Sequence, residues 1–296
     1  MAIEYAMVIG YFFISMAIGL FCVGAVIDIW KINVERKANH SLAHISKLAI
    51  TTSLPLVIVG ILSTLFHLGK IGSFYNIILN FSSWLTREAW SAGIFTFCAF
   101  VCFLLWRSSV KTNNYRPRAI VGAVGIVFGI TTIFSMSMIY MSVKAIPAWN
   151  TDSILYMNLA NAFLLGVFLF GILLAFQYNK NKADAELDLL KIFTWIGLFA
   201  IILVGATFLI NQVQISMLPD AAQSGSGFGL AIARFSIGIL MPLLIVIYAL
   251  AKKEQKSSIF PAVFTASFLF IIAGDIMSRM LHFIVAVNPP VIPPIF

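Results

Sequence analysis

The sequence predicts an all-α membrane protein that crosses the bilayer eight times. Of its 296 residues, 61% are hydrophobic and only 10% are charged, and the mean hydropathy is +1.00. A helix needs about 20 apolar residues to cross the roughly 30 Å of hydrocarbon in a bilayer. Eight stretches meet this requirement, and we number them spans 1 to 8: residues 4–30, 43–69, 84–106, 119–143, 153–177, 189–211, 229–251 and 258–285, with approximate boundaries.

The connections between the spans are short, so the chain reads as one integral membrane domain over residues 1–296. The most hydrophilic connection, residues 179–188, separates four spans from the other four. This division predicts two packed four-helix bundles. Span 1 follows a start without basic residues and is too long for the core of a signal peptide, so we expect it to be retained as a helix.

Positive charge lies mainly on one side of the predicted topology. Because cytoplasmic connections of membrane proteins are enriched in Lys and Arg, this side should be cytoplasmic and both termini should lie on the opposite side. The net charge of +8 is then explained by topology, and we expect no nucleic acid partner. Fourteen of the 19 Lys and Arg residues lie after spans 1, 3, 5 and 7: Lys31, Arg36, Lys37, Lys47, Arg107, Lys111, Arg116, Arg118, Lys180, Lys182, Lys191, Lys252, Lys253 and Lys256.

The three cysteines predict packing and no metal centre. Cys22, Cys98 and Cys102 all lie within apolar spans, and no Cys-x-x-Cys pair occurs. An iron–sulfur cluster ordinarily takes four cysteine ligands. We therefore expect no iron–sulfur cluster in this chain. We also expect no haem, because only two of the four histidines are well placed within the spans.

Several ionisable residues lie inside the spans, where a charged side chain costs about 2.5–3.5 kcal/mol on insertion scales. Such residues in membrane helices ordinarily mark functional sites. In the predicted topology they all fall on the non-cytoplasmic side: His67, Arg87, Glu88, Arg234, Asp275, Arg279 and His282. By contrast, Asp28, His40, His44 and Lys47 fall at the cytoplasmic ends, where we expect solvated or headgroup-facing side chains.

Helical phase predicts that the ionisable side chains of three of these spans point into the bundle. Small residues line helix contacts in membranes because they let backbones approach, and Glu88 shares its face with Ala92, Thr96 and Ala99. His67 shares its face with Gly60, Ser63 and Thr64. Asp275 and Arg279 are four residues apart and can pair on one helix, with His282 on the same stripe.

Structural explanations for these residues stay open at this point. Asp275 and Arg279 can form a purely structural ion pair, and Arg234 can extend to the membrane interface. His67 can bond a loop carbonyl, and Glu88 can cap the start of span 3, where the helix dipole favours an acidic residue.

A carboxylate, a histidine and arginines beside an apolar cleft suit the oxidation of a quinol. Two protons leave a quinol with two electrons; a buried carboxylate can take one proton, and a neutral imidazole can accept or bond the other. The apolar cleft would hold the isoprenoid tail. The electrons must pass to another protein, because this sequence predicts no redox centre of its own.

Six motifs resemble, in order and spacing, those of the membrane anchor subunit of bacterial dimethyl sulfoxide reductase. The likeness covers nearly the whole chain, and the number of spans also agrees. The motifs are Ser63-Thr-Leu-Phe-His-Leu-Gly69, Phe74-Tyr-Asn76, Ser83-Trp-Leu-Thr-Arg-Glu88, Ile146-Pro-Ala-Trp149, Ala231-Ile-Ala-Arg234 and Ala273-Gly-Asp-Ile-Met-Ser-Arg279.

The resemblance implies an anchor that binds and oxidises menaquinol near the outer membrane face. Electrons would pass to an iron–sulfur subunit with four [4Fe–4S] clusters, and from there to a molybdopterin catalytic subunit. By motif, His67 and Glu88 would be the catalytic residues at the quinol site, supported by Asn76, Arg234, Asp275 and Arg279. The family often has Pro and Arg shortly after His-Leu-Gly. Here Lys70-Ile-Gly-Ser73 follows, so either Lys70 or Arg87 would supply that charge at the quinol site or the docking surface would differ.

The same resemblance implies a multi-pass protein of the bacterial inner membrane, with both partner subunits docked on its non-cytoplasmic face. The connections 70–83, 144–152 and 212–228 would form that face. Quinol oxidation on this side carries no charge across the membrane. This chain would take no part in the chemistry of the terminal electron acceptor.

Three alternatives remain at the level of sequence. A polysulfide-reductase-type anchor is also eight-helical and reacts with quinone. A haem b anchor would use His67 and His282 as axial ligands, which an absorption spectrum would reveal. A secondary transporter would use Glu88, Asp275 and Arg279 for a coupled ion, although transporters usually break helices near the midplane.

Overall fold

A computed structural model describes residues 2–34, 40–66, 74–112, 114–181, 184–218, 227–252 and 259–287. These residues form helices and short turns, and no strand occurs among them. The helices are α1 (Ala2–Val34), α2 (His40–Phe66), α3 (Phe74–Leu79), α4 (Trp84–Thr112), α5 (Arg116–Met141), α6 (Ser153–Asn181), α7 (Asp184–Ser216), α8 (Phe228–Phe235), a π-helical segment (Ser236–Leu240), α9 (Met241–Ala251) and α10 (Ile259–Val287).

The prediction of eight membrane spans is confirmed. Within the described ranges, eight helical stretches are long and apolar enough to cross a bilayer, and the seventh is assembled from α8, the π-helical segment and α9. Large apolar side chains such as Phe97, Ile120, Phe176 and Phe199 are exposed on the outside of the helices. In a protein of this hydropathy such an exposed apolar surface faces lipid. The chain is a multi-pass membrane protein.

Two details of the elements differ from the prediction. The connection 70–83 contains the short helix α3, which the spans did not anticipate, and the Trp90 indole N–H donates to the Ile78 carbonyl at 3.1 Å. This bond holds the end of α3 against α4. The predicted last residues of span 2, 67–69, lie outside the described residues.

Helices α1 and α6 lie at the centre of the bundle. In their most apolar stretches, 72% of α1 and 67% of α6 are buried, more than in the other spans. The two helices meet at Gly19 and Gly166, where a methyl group on Gly166 would lie 2.6 Å from the Gly19 Cα. Only glycine permits this approach of two helix backbones.

The hydrophobic core consists of two clusters that share α1. One cluster joins α1 and α2 to α6, α7, α9 and α10, with Phe168 and Phe264 near its centre. The other joins α1 and α2 to α4 and α5, with Phe21 and Phe95 among its members. Because α1 packs against helices of both halves, the division into two four-helix bundles stays a prediction.

The bundle has two ends, which we name after the acidic residues buried there. The Glu88 end contains the starts of α1, α4, α6 and α8 and the ends of α2, α5, α7 and α10. The Asp28 end contains the ends of α1, α4, α6 and α9 and the starts of α2, α5, α7 and α10. The assignment of the Glu88 end to the non-cytoplasmic side stays a prediction from the charge distribution.

Asp28 is buried, so the expectation of a solvated side chain is wrong. The Arg118 guanidinium donates from Nε to Asp28 Oδ2 at 2.5 Å and from Nη2 to Oδ1 at 2.6 Å, and Ser46 donates to Oδ1 at 2.6 Å. Arg118, counted among the connections, lies in the first turn of α5 and is buried with its partner. Neutralisation by a bidentate partner makes this burial tolerable.

Two other basic residues expected to be solvated at the Asp28 end, Lys47 and His44, are partly buried. The Lys47 ammonium lies 3.5 Å from the centroid of the Trp106 ring, a cation–π contact on a partly buried side chain. The side chain of His40 lies outside the described part of the structure.

Candidate functional site

Glu88 occupies the first two turns of α4, on the face that packs into the bundle. The face includes Ala92, Phe95 and Ala99, all buried, and Glu88 itself is 6% exposed. Its carboxylate accepts a hydrogen bond from the Tyr11 hydroxyl of α1 at 3.3 Å, which is long for this type of bond. Because the bond goes to another helix, capping of α4 does not account for the position of Glu88.

The predicted ion pair on α10 is confirmed. Arg279 donates from Nε to Asp275 Oδ2 at 2.7 Å and from Nη2 to the Ser15 hydroxyl oxygen of α1 at 3.0 Å. Both members are buried, and the second oxygen of Asp275 has no hydrogen-bond partner. The pair therefore links α10 to α1 and still leaves one acceptor open.

Arg234 of α8 is completely buried and does not extend to the membrane interface. Its Nη2 donates to the Asn161 side-chain oxygen at 3.0 Å, and its other guanidinium nitrogens have no hydrogen-bond partner. Asp275 and Arg279 lie close enough to interact with it electrostatically.

Glycines on both sides make room for this guanidinium. A methyl group on Gly274 would lie 2.5 Å from Arg234 Nη1, and Gly238 approaches the same nitrogen. A methyl group on either glycine would also meet the Cα atom of the other, so α10 and the seventh span approach closely here. The π-helical segment Ser236–Leu240 begins just after Arg234, and such segments are frequent at functional sites.

A cluster of aromatic residues links the charged region to residues 142–152, which follow α5. The Trp149 ring stacks on His282 with centroids 5.1 Å apart, and its indole N–H donates to the His282 carbonyl at 2.8 Å. Tyr140 lies edge-on to His282 at 4.4 Å and edge-on to Tyr11 at 6.1 Å. The cluster therefore runs from the partner of Glu88 to the C-terminal part of α10.

Two small cavities lie within this polar region. Cavity A has a volume of about 30 Å³, and cavity B has a volume of about 20 Å³. A cavity holds one water molecule from about 10–15 Å³ upward, so each has room for one or two. The polar and aromatic lining of cavity A includes Tyr11, Tyr140, Asn158, Asn161, Arg279 and His282; that of cavity B includes Trp149, Asn211, Ser278 and His282.

A separate groove of about 260 Å³ lies on the lipid-facing surface of α4. At 100° per residue its lining residues fall on the face of α4 opposite Glu88. The groove is thus open to acyl chains and is not continuous with the polar region. Its lining is Ile78, Ala89, Trp90, Gly93, Ile94 and Phe97.

The structure brings four predicted site residues together and leaves one apart, and it does not describe the side chains of the other two. Glu88, Arg234, Asp275 and Arg279 converge at one end of the bundle. Arg87 is exposed, donates to the Phe81 carbonyl at 3.1 Å and lies over the Trp84 ring at 4.2 Å, so it does not join them. Asn76 lies in α3, but its side chain is outside the described part, and His67 lies wholly outside the described residues.

Sequence reasoning missed Tyr11, Tyr140, Asn158 and Asn161 as members of this region. Asn158 and Asn161 carried a usable signal, because two amides three residues apart on one face of an apolar span need polar partners. Asn158 donates to Ser137 at 3.0 Å, and Asn161 accepts from Arg234. The two tyrosines gave no such signal in the sequence, because a single aromatic residue in an apolar span is ordinary. Among the described residues, no group of three or more His, Cys, Asp and Glu side chains is placed to hold a metal ion.

Comparison with known proteins identifies a family for this eight-span chain. A comparison with curated proteins gives no match. A family model described as the DMSO reductase anchor subunit (DmsC) matches residues 1–284. The matched region includes all eight spans and each of the converging residues. The chain therefore belongs to the family of DMSO reductase membrane anchor subunits.

Proposed function

We propose that this chain binds menaquinol at the Glu88 end of the bundle, oxidises it there, and passes the electrons to an iron–sulfur partner subunit. The family supplies the setting, because an anchor subunit of DMSO reductase associates with the catalytic and iron–sulfur subunits of that enzyme. The observation that carries the proposal is the buried carboxylate of Glu88.

Glu88 is suited to accept a proton from a quinol hydroxyl. Among the ion pairs between described residues, none includes Glu88, and its hydrogen-bond partner is the neutral phenol of Tyr11. A buried charge is costly unless it is paired, so a carboxylate without a cation is neutralised most directly by a proton. Glu88 is thus poised as a general base.

The cationic groups nearby support the same reaction. Arg279 borders cavity A beside Tyr11, and Arg234 lies behind it with two nitrogens open. A quinol that loses protons before electrons develops negative charge on its oxygens, which preorganised guanidinium groups stabilise. Asp275 holds Arg279 in place, so its role here is positioning. His67 and Asn76 complete the proposed site, with His67 as the second proton acceptor.

Binding of the quinol ring requires side chains to move. Cavity A measures about 30 Å³, far below the roughly 300 Å³ of the smallest typical ligand pockets. The ring therefore enters by displacing side chains and water at the Glu88 end. We place the two partner subunits on the same end, over the connections 70–83, 144–152 and 212–228, so that electrons leave by a short route.

The test is Glu88→Gln in the assembled complex. Loss of a general base lowers rates about 10²–10⁴-fold, so turnover with a menaquinol analogue should fall by this amount. Activity with an artificial soluble donor, which bypasses the anchor, should stay unchanged.

The matched control is Glu186→Gln, the same substitution at a buried glutamate at the start of α7, at the Asp28 end. This control should keep its quinol turnover. Normal quinol turnover in the Glu88→Gln complex would overturn the proposal.

A further inference from the structure

Cavities A and B share three lining residues, one of which is a histidine. Met157, Ser278 and His282 line both cavities, so they form the wall between them. Cavity A lies on the side of Tyr11 and Arg279. Cavity B lies on the side of Trp149, Asn211 and Ile215, where the connection after α5 meets the last turns of α7.

Polar atoms without protein partners face this region. The Tyr140 hydroxyl lies beside that of Tyr11 but makes no hydrogen bond of ordinary geometry, and Nε2 of His282 has no hydrogen-bond partner either. More than nine tenths of buried polar groups are hydrogen-bonded to protein or to ordered water. Since both residues line cavity A and the cavity has room for water, water is the partner that the chemistry of these atoms requires.

We propose that the two cavities hold a water chain, relayed by His282, that carries protons from Glu88 to the aqueous surface at the same end of the bundle. This inference rests on the proposed function. The proposed order is Glu88, the Tyr11 hydroxyl, the water of cavity A, His282, the water of cavity B, and the surface between the connection 142–152 and the end of α7. His282 is a positioning and relay residue and does not contact the quinol.

Packed aromatic rings separate Tyr11 from the acidic residue buried at the other end of α1. Tyr11 and Asp28 are 17 residues apart on α1, about 25 Å at 1.5 Å per residue. Between them the rings of Phe21 and Phe95 pack edge to face at 5.1 Å, and both are completely buried. At the far end Asp28 has both oxygens engaged by Arg118 and Ser46.

The proton balance of the relay is closed. Each menaquinol becomes menaquinone and releases two electrons to the iron–sulfur partner and two protons to the chain, one to Glu88 and one to His67. Only the proton on Glu88 enters the relay, and it returns to water through Tyr11. A neutral imidazole relays a proton by binding one at one ring nitrogen and releasing one from the other. The charged groups that face the relay are Glu88, Asp275, Arg234 and Arg279; Arg279, which lines cavity A, opposes a proton that stays on His282.

The experiment uses His282→Phe and His282→Gln in the assembled complex. Phenylalanine keeps the stack on Trp149 and glutamine keeps a hydrogen-bonding group, but neither can relay a proton as imidazole does. We expect kcat with a menaquinol analogue to fall about tenfold, less than the 10²–10⁴-fold loss of a proton-accepting group itself. KM should stay unchanged, and the solvent deuterium isotope effect on kcat should increase.

Controls separate a relay from a structural role. His44→Phe makes the same substitution at the Asp28 end and should leave kcat and the isotope effect unchanged. Activity with a soluble donor reports whether each variant is assembled. A structural defect alone lowers kcat without raising the solvent isotope effect, and this result would overturn the relay.

The two proposals fail in distinguishable ways. If both His282 variants keep the wild-type kcat and isotope effect while Glu88→Gln abolishes quinol turnover, the relay is wrong and the proposed function stands. If Glu88→Gln keeps normal quinol turnover, the proposed function fails, and the relay fails with it.

Discussion

Both ends of the bundle bury an aspartate–arginine pair, but the two pairs are bonded differently. Asp28 and Arg118 join α1 to α5 through two hydrogen bonds, and Ser46 of α2 adds a third. Asp275 and Arg279 lie on one helix and share one hydrogen bond, with one Asp275 oxygen left without a partner. The first pair uses both its carboxylate oxygens on helix contacts and leaves one guanidinium nitrogen, Nη1 of Arg118, without a partner.

The second pair leaves a carboxylate oxygen without a hydrogen-bond partner. It lies beside the two cavities, near Glu88, which forms no ion pair, and near the Arg234 guanidinium, which is only partly hydrogen-bonded. Unsatisfied buried polar groups are costly and call for an explanation in any native structure. The comparison teaches that the same residue types stabilise the fold at one end and, with bonds left open, belong to the proposed reactive site at the other.

The largest effect should come from breaking the pair at the Asp28 end. Removing one partner of a buried ion pair costs about 3–5 kcal/mol, because the other charge is left uncompensated. Arg118→Leu should therefore lower the free energy of unfolding by this amount, measured in mixed detergent micelles. The complex that still assembles should keep its quinol turnover.

A double replacement sharpens this prediction. When Asp28→Leu is added to Arg118→Leu, neither charge of this pair remains buried. Replacement of a buried ion pair by apolar residues often leaves the stability unchanged. The double variant should thus be more stable than Arg118→Leu alone. A specific loss of quinol turnover in either variant would erase the distinction between the two ends.

A smaller effect is expected from Gly274→Ala at the Glu88 end. The added methyl group would crowd Arg234 Nη1 and Gly238, and overpacking of this kind costs about 1–3 kcal/mol. Because the substitution displaces Arg234, quinol turnover should fall together with the unfolding temperature.

The matched control for this change is Gly205→Ala in α7. There the methyl group would lie 3.5 Å from Ile239, an ordinary contact distance. We expect this variant to unfold and turn over as the wild type does. Equal behaviour of the two glycine variants would show that the close packing around Arg234 is unimportant.

The smallest effect should come from Arg87→Gln. Arg87 belongs to the Glu88 end but is exposed and bonded to a carbonyl on the surface. Surface substitutions usually change stability by less than about 0.5 kcal/mol, and quinol turnover should stay within about twofold of the wild type. A loss of turnover comparable to that of Glu88→Gln would extend the site onto the surface and would restore the sequence prediction for this residue.

Hydropathy predicted the spans because the rule behind it is local. Twenty apolar residues satisfy their own backbone hydrogen bonds as a helix, whatever the neighbours are. The inward direction of Glu88 and the pairing of Asp275 with Arg279 were also local, since each follows from positions three or four apart on one helix.

Contacts between distant spans could not be predicted in this way. The bond between Asp28 and Arg118 joins positions 90 residues apart, and no local pattern indicates which charges meet. Both were therefore assigned to the solvated ends. The same holds for Tyr11, Tyr140 and His282, which are far apart in the sequence and come together only in the folded bundle. The short helix α3 has no amphipathic run long enough to be recognised, and its position depends on the bond from Trp90.

The hydrogen bond from Arg279 to Ser15 joins α10 to α1 across 264 positions of the chain. Synthesis at about 5–20 residues per second separates the two residues by roughly 10–50 s. During that interval the chain contains α1 but not the partner of Ser15, and His282, which lines both cavities, has not yet been synthesised. The proposed reactive centre therefore forms only after the eighth span has been synthesised, and we expect an incomplete chain not to consume quinol.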